Sequence, residues 1–167
     1  MKPVKHRLLN PLTMLRAGLL IGLIARLLDI FTQNLGNLFS SLPVWVLLCT
    51  LIAVYSPTKK AAAMNVLPFC LGMLLTYYLT AHISGGVYGW TYILFWSALA
   101  LCTPFCAVIA WLAKEPGLRG KILSVGIIVG TTIVSRAFFD KLRLHDILIL
   151  ALLAWVMLRP RRLPGRS

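Results

Sequence analysis

The sequence predicts an all-α, polytopic integral membrane protein of six transmembrane helices, and three observations predict it. First, 59% of the 167 residues are hydrophobic and the mean hydropathy is +0.86. Only 13% are charged, about half of the roughly 25% found in soluble domains. Second, apolar runs long enough to cross a bilayer recur along the chain, separated by short Pro-, Gly- and charge-bearing turns. Third, Lys and Arg stand at the ends of those runs, as they do beside the cytoplasmic ends of membrane helices. The length leaves room for one domain, 1–167.

The first span is expected over 11–31. Asn10-Pro11 is a helix start, with Asn as N-cap and Pro in the first turn. A helix over these residues is about 31 Å long, enough to cross. The basic N-terminus before an apolar run resembles a signal peptide, but Arg26 and Asp29 end the run and no small-x-small cleavage site follows. The expectation is a retained span. Gly18 and Gly22, with Ala25 following, make one flank smooth and suited to close helix packing.

The second span, 38–55, is short or kinked. Its purely apolar part, Pro43 to Tyr55, reaches only about 20 Å, so either Pro43 kinks a longer helix or part of the segment is re-entrant. The third, 57–83, is over-long, with Pro68 as its expected kink. The fourth, 88–113, opens with Tyr88, Trp90 and Tyr92 and carries Pro104. The fifth, 121–139, contains Gly126-x-x-x-Gly130, a packing motif silent about chemistry. The sixth is expected over 143–158.

Six spans put both termini on one side. Lys2, Lys5, Arg7 and Arg16, then Lys59 and Lys60, then Lys114, Arg119 and Lys121, then the Arg-rich tail all fall on that side, and the first two opposite connections hold no Lys or Arg. The positive-inside bias therefore gives N-in, C-in. The net charge of +13 is explained by this placement. Without a basic face interleaved with aromatics, nucleic acid is excluded as a partner.

The polar residues within or beside the spans gather at the outer level. Arg26 and Asp29, three apart, share a helix face and can pair, and charges at that depth mark a functional hypothesis. Gln33 and Asn34 follow them. Tyr77 and Tyr78 end the third span, Tyr92 begins the fourth, and Arg136 and Asp146 flank the last hairpin. These nine residues are the candidate ligand-contacting set. Each has a plainer reading: an interfacial aromatic belt for the Tyr residues, local ion pairing for Arg136 with Asp140, and a first-turn helix charge for Asp146. His145 and Asp146 are adjacent, so about 100° should separate them around a helix and keep them from one site. The cytoplasmic half offers Asn65, Glu115 and basic anchors but no comparable set.

Cys49, Cys70, Cys102 and Cys106 all lie inside apolar runs, which reads as small buried hydrophobes. Cys102 and Cys106 share a face, but no neighbouring His or carboxylate completes a metal set, and neither a metal nor a cofactor is expected. There is no Walker loop, His-Glu-x-x-His or Gly-x-Ser-x-Gly. Catalysis is thus the less favoured reading. The favoured one is a component that binds or transports a small polar or amphiphilic solute through an outward-facing polar and aromatic pocket. The alternatives are a membrane enzyme acting on a lipid or lipid-linked substrate, with Asp29 or Asp146 as base, and an accessory subunit without a ligand.

In size, six-helix layout and small-x-x-x-small first helix, the chain resembles the substrate-binding S components of energy-coupling-factor vitamin transporters. That resemblance implies a membrane partner subunit docked through Gly18, Gly22 and Ala25. The run Ser56-Pro57-Thr58-Lys59-Lys60-Ala61-Ala62, followed by Gly72-Met73-x-x-x-Tyr77-Tyr78 with Asp29 upstream, also resembles a family of uncharacterised small membrane proteins of Gram-positive bacteria. It implies a bacterial plasma membrane.

Overall fold

A computed structural model describes residues 9–32, 41–86, 89–139 and 143–159. Among these residues the chain is all-α, with six helices: α1 (Pro11–Phe31), α2 (Leu42–Tyr55), α3 (Lys59–Ile83), α4 (Trp90–Leu112), α5 (Leu118–Phe139) and α6 (Leu144–Leu158). Three of them, Lys59–Ile83, Trp90–Leu112 and Leu118–Ala137, are long and apolar enough to cross a membrane; α2 and α6 are shorter apolar helices.

The helix starts follow local chemistry. Asn10 caps α1 by accepting from the Thr13 N–H at 2.8 Å, and Thr13 reciprocates with the Asn10 backbone. The Thr58 side chain caps α3 by accepting from the Ala61 N–H. Pro43 sits in the first turn of α2, where its missing N–H costs nothing. It opens the helix rather than kinking it, so the expected span 38–55 starts at Leu42; residues 38–40 lie outside the described ones. In α4, Pro104 removes the N–H that would bond the Ala100 carbonyl. The Thr103 hydroxyl donates to that carbonyl instead, at 2.6 Å, as a backbone group away from water requires.

Short as it is, α2 is the hub, packing against α3, α4, α5 and α6. It is apolar all round, as a helix enclosed by its neighbours must be; of its residues only Tyr55 is exposed. One core cluster joins Ala53 to Val66, Phe69, Cys70 and Met73 of α3 and Ala100 and Ala107 of α4. A second joins Leu47 and Val54 to Leu150, Leu153 and Val156 of α6.

By contrast, α1 has its one extensive seam with α3. There Gly18 lies against the Phe69 carbonyl, Gly22 against the Met73 carbonyl and the Thr76 hydroxyl, and Gly72 against Leu15 and Leu19 of α1. A Cβ at any of the three would collide with backbone. The Thr76 hydroxyl donates across the seam to the Leu19 carbonyl at 2.8 Å. The small flank read from the sequence is therefore filled by a helix of the same chain, and Gly18, Gly22 and Ala25 are buried.

Candidate functional site

Three polar or hollow regions stand out, and they lie at different places in the fold. The first is at the far end of the α1–α3 seam. Arg26 Nη1 meets Asp29 Oδ2 at 2.5 Å, the i, i+3 pairing the spacing allows. The Tyr77 hydroxyl donates to the same carboxylate oxygen at 3.2 Å. The Arg26 guanidinium lies 5.8 Å from the Tyr77 ring centroid, and the Tyr78 ring meets Tyr77 edge-on at 5.4 Å. The end of α3 shapes the seat. Gly85 turns with φ +66°, the Gly85 and Gly86 N–H groups return to the His82 and Ala81 carbonyls, and the bare Cα of Gly86 faces the Arg26 guanidinium. With side chains 15% and 29% exposed, the pair is partly shielded, and each charge is neutralised by the other.

The other described candidates sit on other helices. Tyr92 is 68% exposed at the start of α4, and Arg136 is exposed in the last turn of α5. Asp146 is 5% exposed and serves its own helix: Oδ2 accepts from the Arg143 N–H at 3.1 Å, a capping contact. Its Oδ1 lies 3.6 Å from His145 Nε2. The 100° of helix between these neighbours therefore does not keep their side chains apart in the first turn of α6. Gln33 and Asn34 lie outside the described residues.

The second region is at the opposite, basic end, where the sequence indicated no comparable set. Asn65, fully buried, donates to the Ser56 hydroxyl at 3.1 Å and the Leu9 carbonyl at 3.3 Å. Trp111 Nε1 donates to the Ser56 carbonyl at 3.2 Å. Lys114, 8% exposed, donates to the carbonyls of Val156 at 2.5 Å, Met157 and Arg159. A cation at the negative end of α6 thus supplies donors to carbonyls that have no helical partner. The Ser124 hydroxyl donates to the Ala113 carbonyl at 3.0 Å. This network fastens the turns at this end and the end of α6 to one another; most of its hydrogen bonds go to backbone carbonyls, which suits structure rather than ligand capture. Spacing along the chain gave no sign of it, because its partners are carbonyls up to 56 residues apart.

The third region is a cavity of about 330 Å³ bounded by α2, α3, α4 and α5. Trp45 and Trp96, stacked 25° from parallel with centroids 5.4 Å apart, belong to its wall. All four cysteines line it. Cys49 and Cys70 touch, Sγ to Sγ at 3.4 Å, while Cys102 and Cys106 are exposed rather than buried, so the cysteines are not uniformly core residues. None of the seven described candidate residues is among those lining the cavity. Among the described residues no three His, Cys, Asp or Glu side chains are grouped to hold a metal ion.

Fold and site together define a small all-α protein with helices apolar enough for a membrane, built around an apolar cavity. The chain belongs to DUF6518, a family of unknown function, whose model matches residues 1–163. No curated protein and no solved structure matches it.

Proposed function

We propose that this chain is a multi-pass protein of a bacterial plasma membrane that binds a small amphiphilic or apolar molecule, as the binding component of a transport or sensing system. The carrying observation is the cavity among α2–α5. Its volume of about 330 Å³ falls within the roughly 300–1,000 Å³ of small-molecule sites. Among the described residues its walls are aromatic, aliphatic, thiol and threonine side chains, with no carboxylate, imidazole or cation. Such a wall can hold a ligand, but it lacks the paired acid and base that a hydrolytic or transfer step at this place would draw on.

This reading moves the ligand from the polar outer level, where the sequence put it, into the apolar interior. The Arg26–Asp29–Tyr77 cluster then closes the end of the α1–α3 seam. Support for six crossings with both ends inside comes from the six helices and from the basic residues at one end. The test is to purify the protein without added lipid, denature it, and identify what is released by mass spectrometry. The expected result is one molecular species, near one per chain, enriched over the bulk membrane extract. Release of bulk lipids in their membrane proportions would overturn the reading.

A further inference from the structure

We infer that the cavity is a slot for one hydrocarbon chain, fatty-acyl or isoprenoid, which enters sideways between α4 and α5 and lies against Gly126 and Gly130. The inference rests on the binding function proposed above and names the ligand class. Four observations carry it. Gly126 and Gly130 have open space where a Cβ would stand, although both border the cavity. Across from them on α4, Cys102 and Cys106 are exposed, so the slot is reached from the side of the bundle, where the bilayer lies.

The wall also withholds hydrogen bonds. The hydroxyls of Thr103 and Thr131 are committed to the Ala100 and Ile127 carbonyls of their own helices. Thr50, the third threonine of the wall, is buried; a cavity water needs two to four polar partners, so the space suits alkyl carbon better than water or a polar headgroup. Finally, the lining is extended for the volume it bounds. Its α4 wall runs from Trp96 to Ala110, roughly 20 Å at the helical rise, for a volume of only about 330 Å³. A second helix, about 10 Å across, is too wide for it, and a compact ring would leave most of its length empty.

The native thiols report occupancy. Protein held in a fluorinated surfactant, which brings no competing alkyl chain, is treated with N-cyclohexylmaleimide, and labelling at Cys102 and Cys106 is followed by peptide mass spectrometry. Hexadecanoic acid or geranylgeraniol should slow that labelling about tenfold, while cyclohexanol should not. Gly126→Leu fills the slot from α5: it should lose the protection while keeping the melting temperature of the parent, because nothing occupies the space its side chain enters. Cys106→Phe narrows the slot from α4, with Cys102 as reporter, and should likewise lose the protection; it decides the matter if the leucine variant does not fold. Protection by cyclohexanol but by neither long chain would overturn the hydrocarbon-chain inference and leave the binding function standing. No protection by any of the three would overturn both. A dimer cross-linked through Cys102 or Cys106 and abolished by Gly126→Leu would assign the slot to a second copy and overturn the inference.

Discussion

The glycine pair of α1 and the glycine pair of α5 have the same spacing and opposite surroundings. At Gly18 and Gly22 the backbone of α3 comes into direct contact, and Gly72 of α3 returns the contact against Leu15 and Leu19. At Gly126 and Gly130 no atom occupies the place of a Cβ. The difference lies in the facing helix. Toward α1, α3 presents a glycine and a threonine whose hydroxyl bonds across the seam, so two backbones can meet. There is no glycine anywhere in α4, and toward the cavity it presents Trp96, Cys102, Thr103 and Cys106; side chains hold it away. Spacing of small residues says that a helix can be approached, and the opposite surface decides what approaches.

The sharpest way to break this comparison is Gly22→Leu. Its side chain would have to displace the Met73 carbonyl and the Thr76 hydroxyl, so a loss above about 3 kcal/mol is expected, at the upper end for overpacking. The readout is recovery of monodisperse protein after mild heating in detergent. Recovery equal to the parent would show that the α1–α3 seam is not closed.

A smaller loss is expected on the open side, where Lys114 ties the base of α4 to the end of α6. Lys114→Met keeps the stem but strands the carbonyls of Val156, Met157 and Arg159. With hydrogen bonds from a charged group at stake, the cost should be about 2 kcal/mol. Faster hydrogen exchange should then be confined to the last turn of α6 and the α4–α5 turn. Exchange unchanged there would show that the ammonium does not fasten the bundle.

The smallest effect is expected where the closed seam ends. Asp29→Asn or Arg26→Gln alone should cost about 1 kcal/mol by leaving the other charge partly shielded and unpaired. The double change should cost less than the two summed, because both halves of the ion pair go together. Additive losses in a thermal-stability cycle would show that the two residues do not act as a pair.

Local chemistry made the helix starts readable: Asn10-Pro11 gave the beginning of α1, and the i, i+3 spacing gave the Arg26–Asp29 contact. Pro43 misled because proline in a first turn and proline in a helix interior look alike until the preceding residues are placed. Lys114 looked like one more basic anchor at a helix end, and its role depends on α6 carbonyls that only tertiary packing brings near. The cavity was hidden for the same reason. Its cysteines and glycines come from four helices, and within each helix they pass for ordinary apolar filler. Proximity of His145 to Asp146 was missed because angular separation on a helix describes where side chains leave the axis, not how far they reach.

Lys114 also sets an order of assembly. Its acceptors lie 42 to 45 residues further along the chain, so during synthesis the ammonium emerges before them and stays in water. When the last helix arrives, its exposed carbonyls draw the cation inward, and water is surrendered in the same motion. The end of α6 is thereby a latch: in a chain halted before Val156 the lysine has none of these three acceptors, and adding Val156 to Arg159 supplies them.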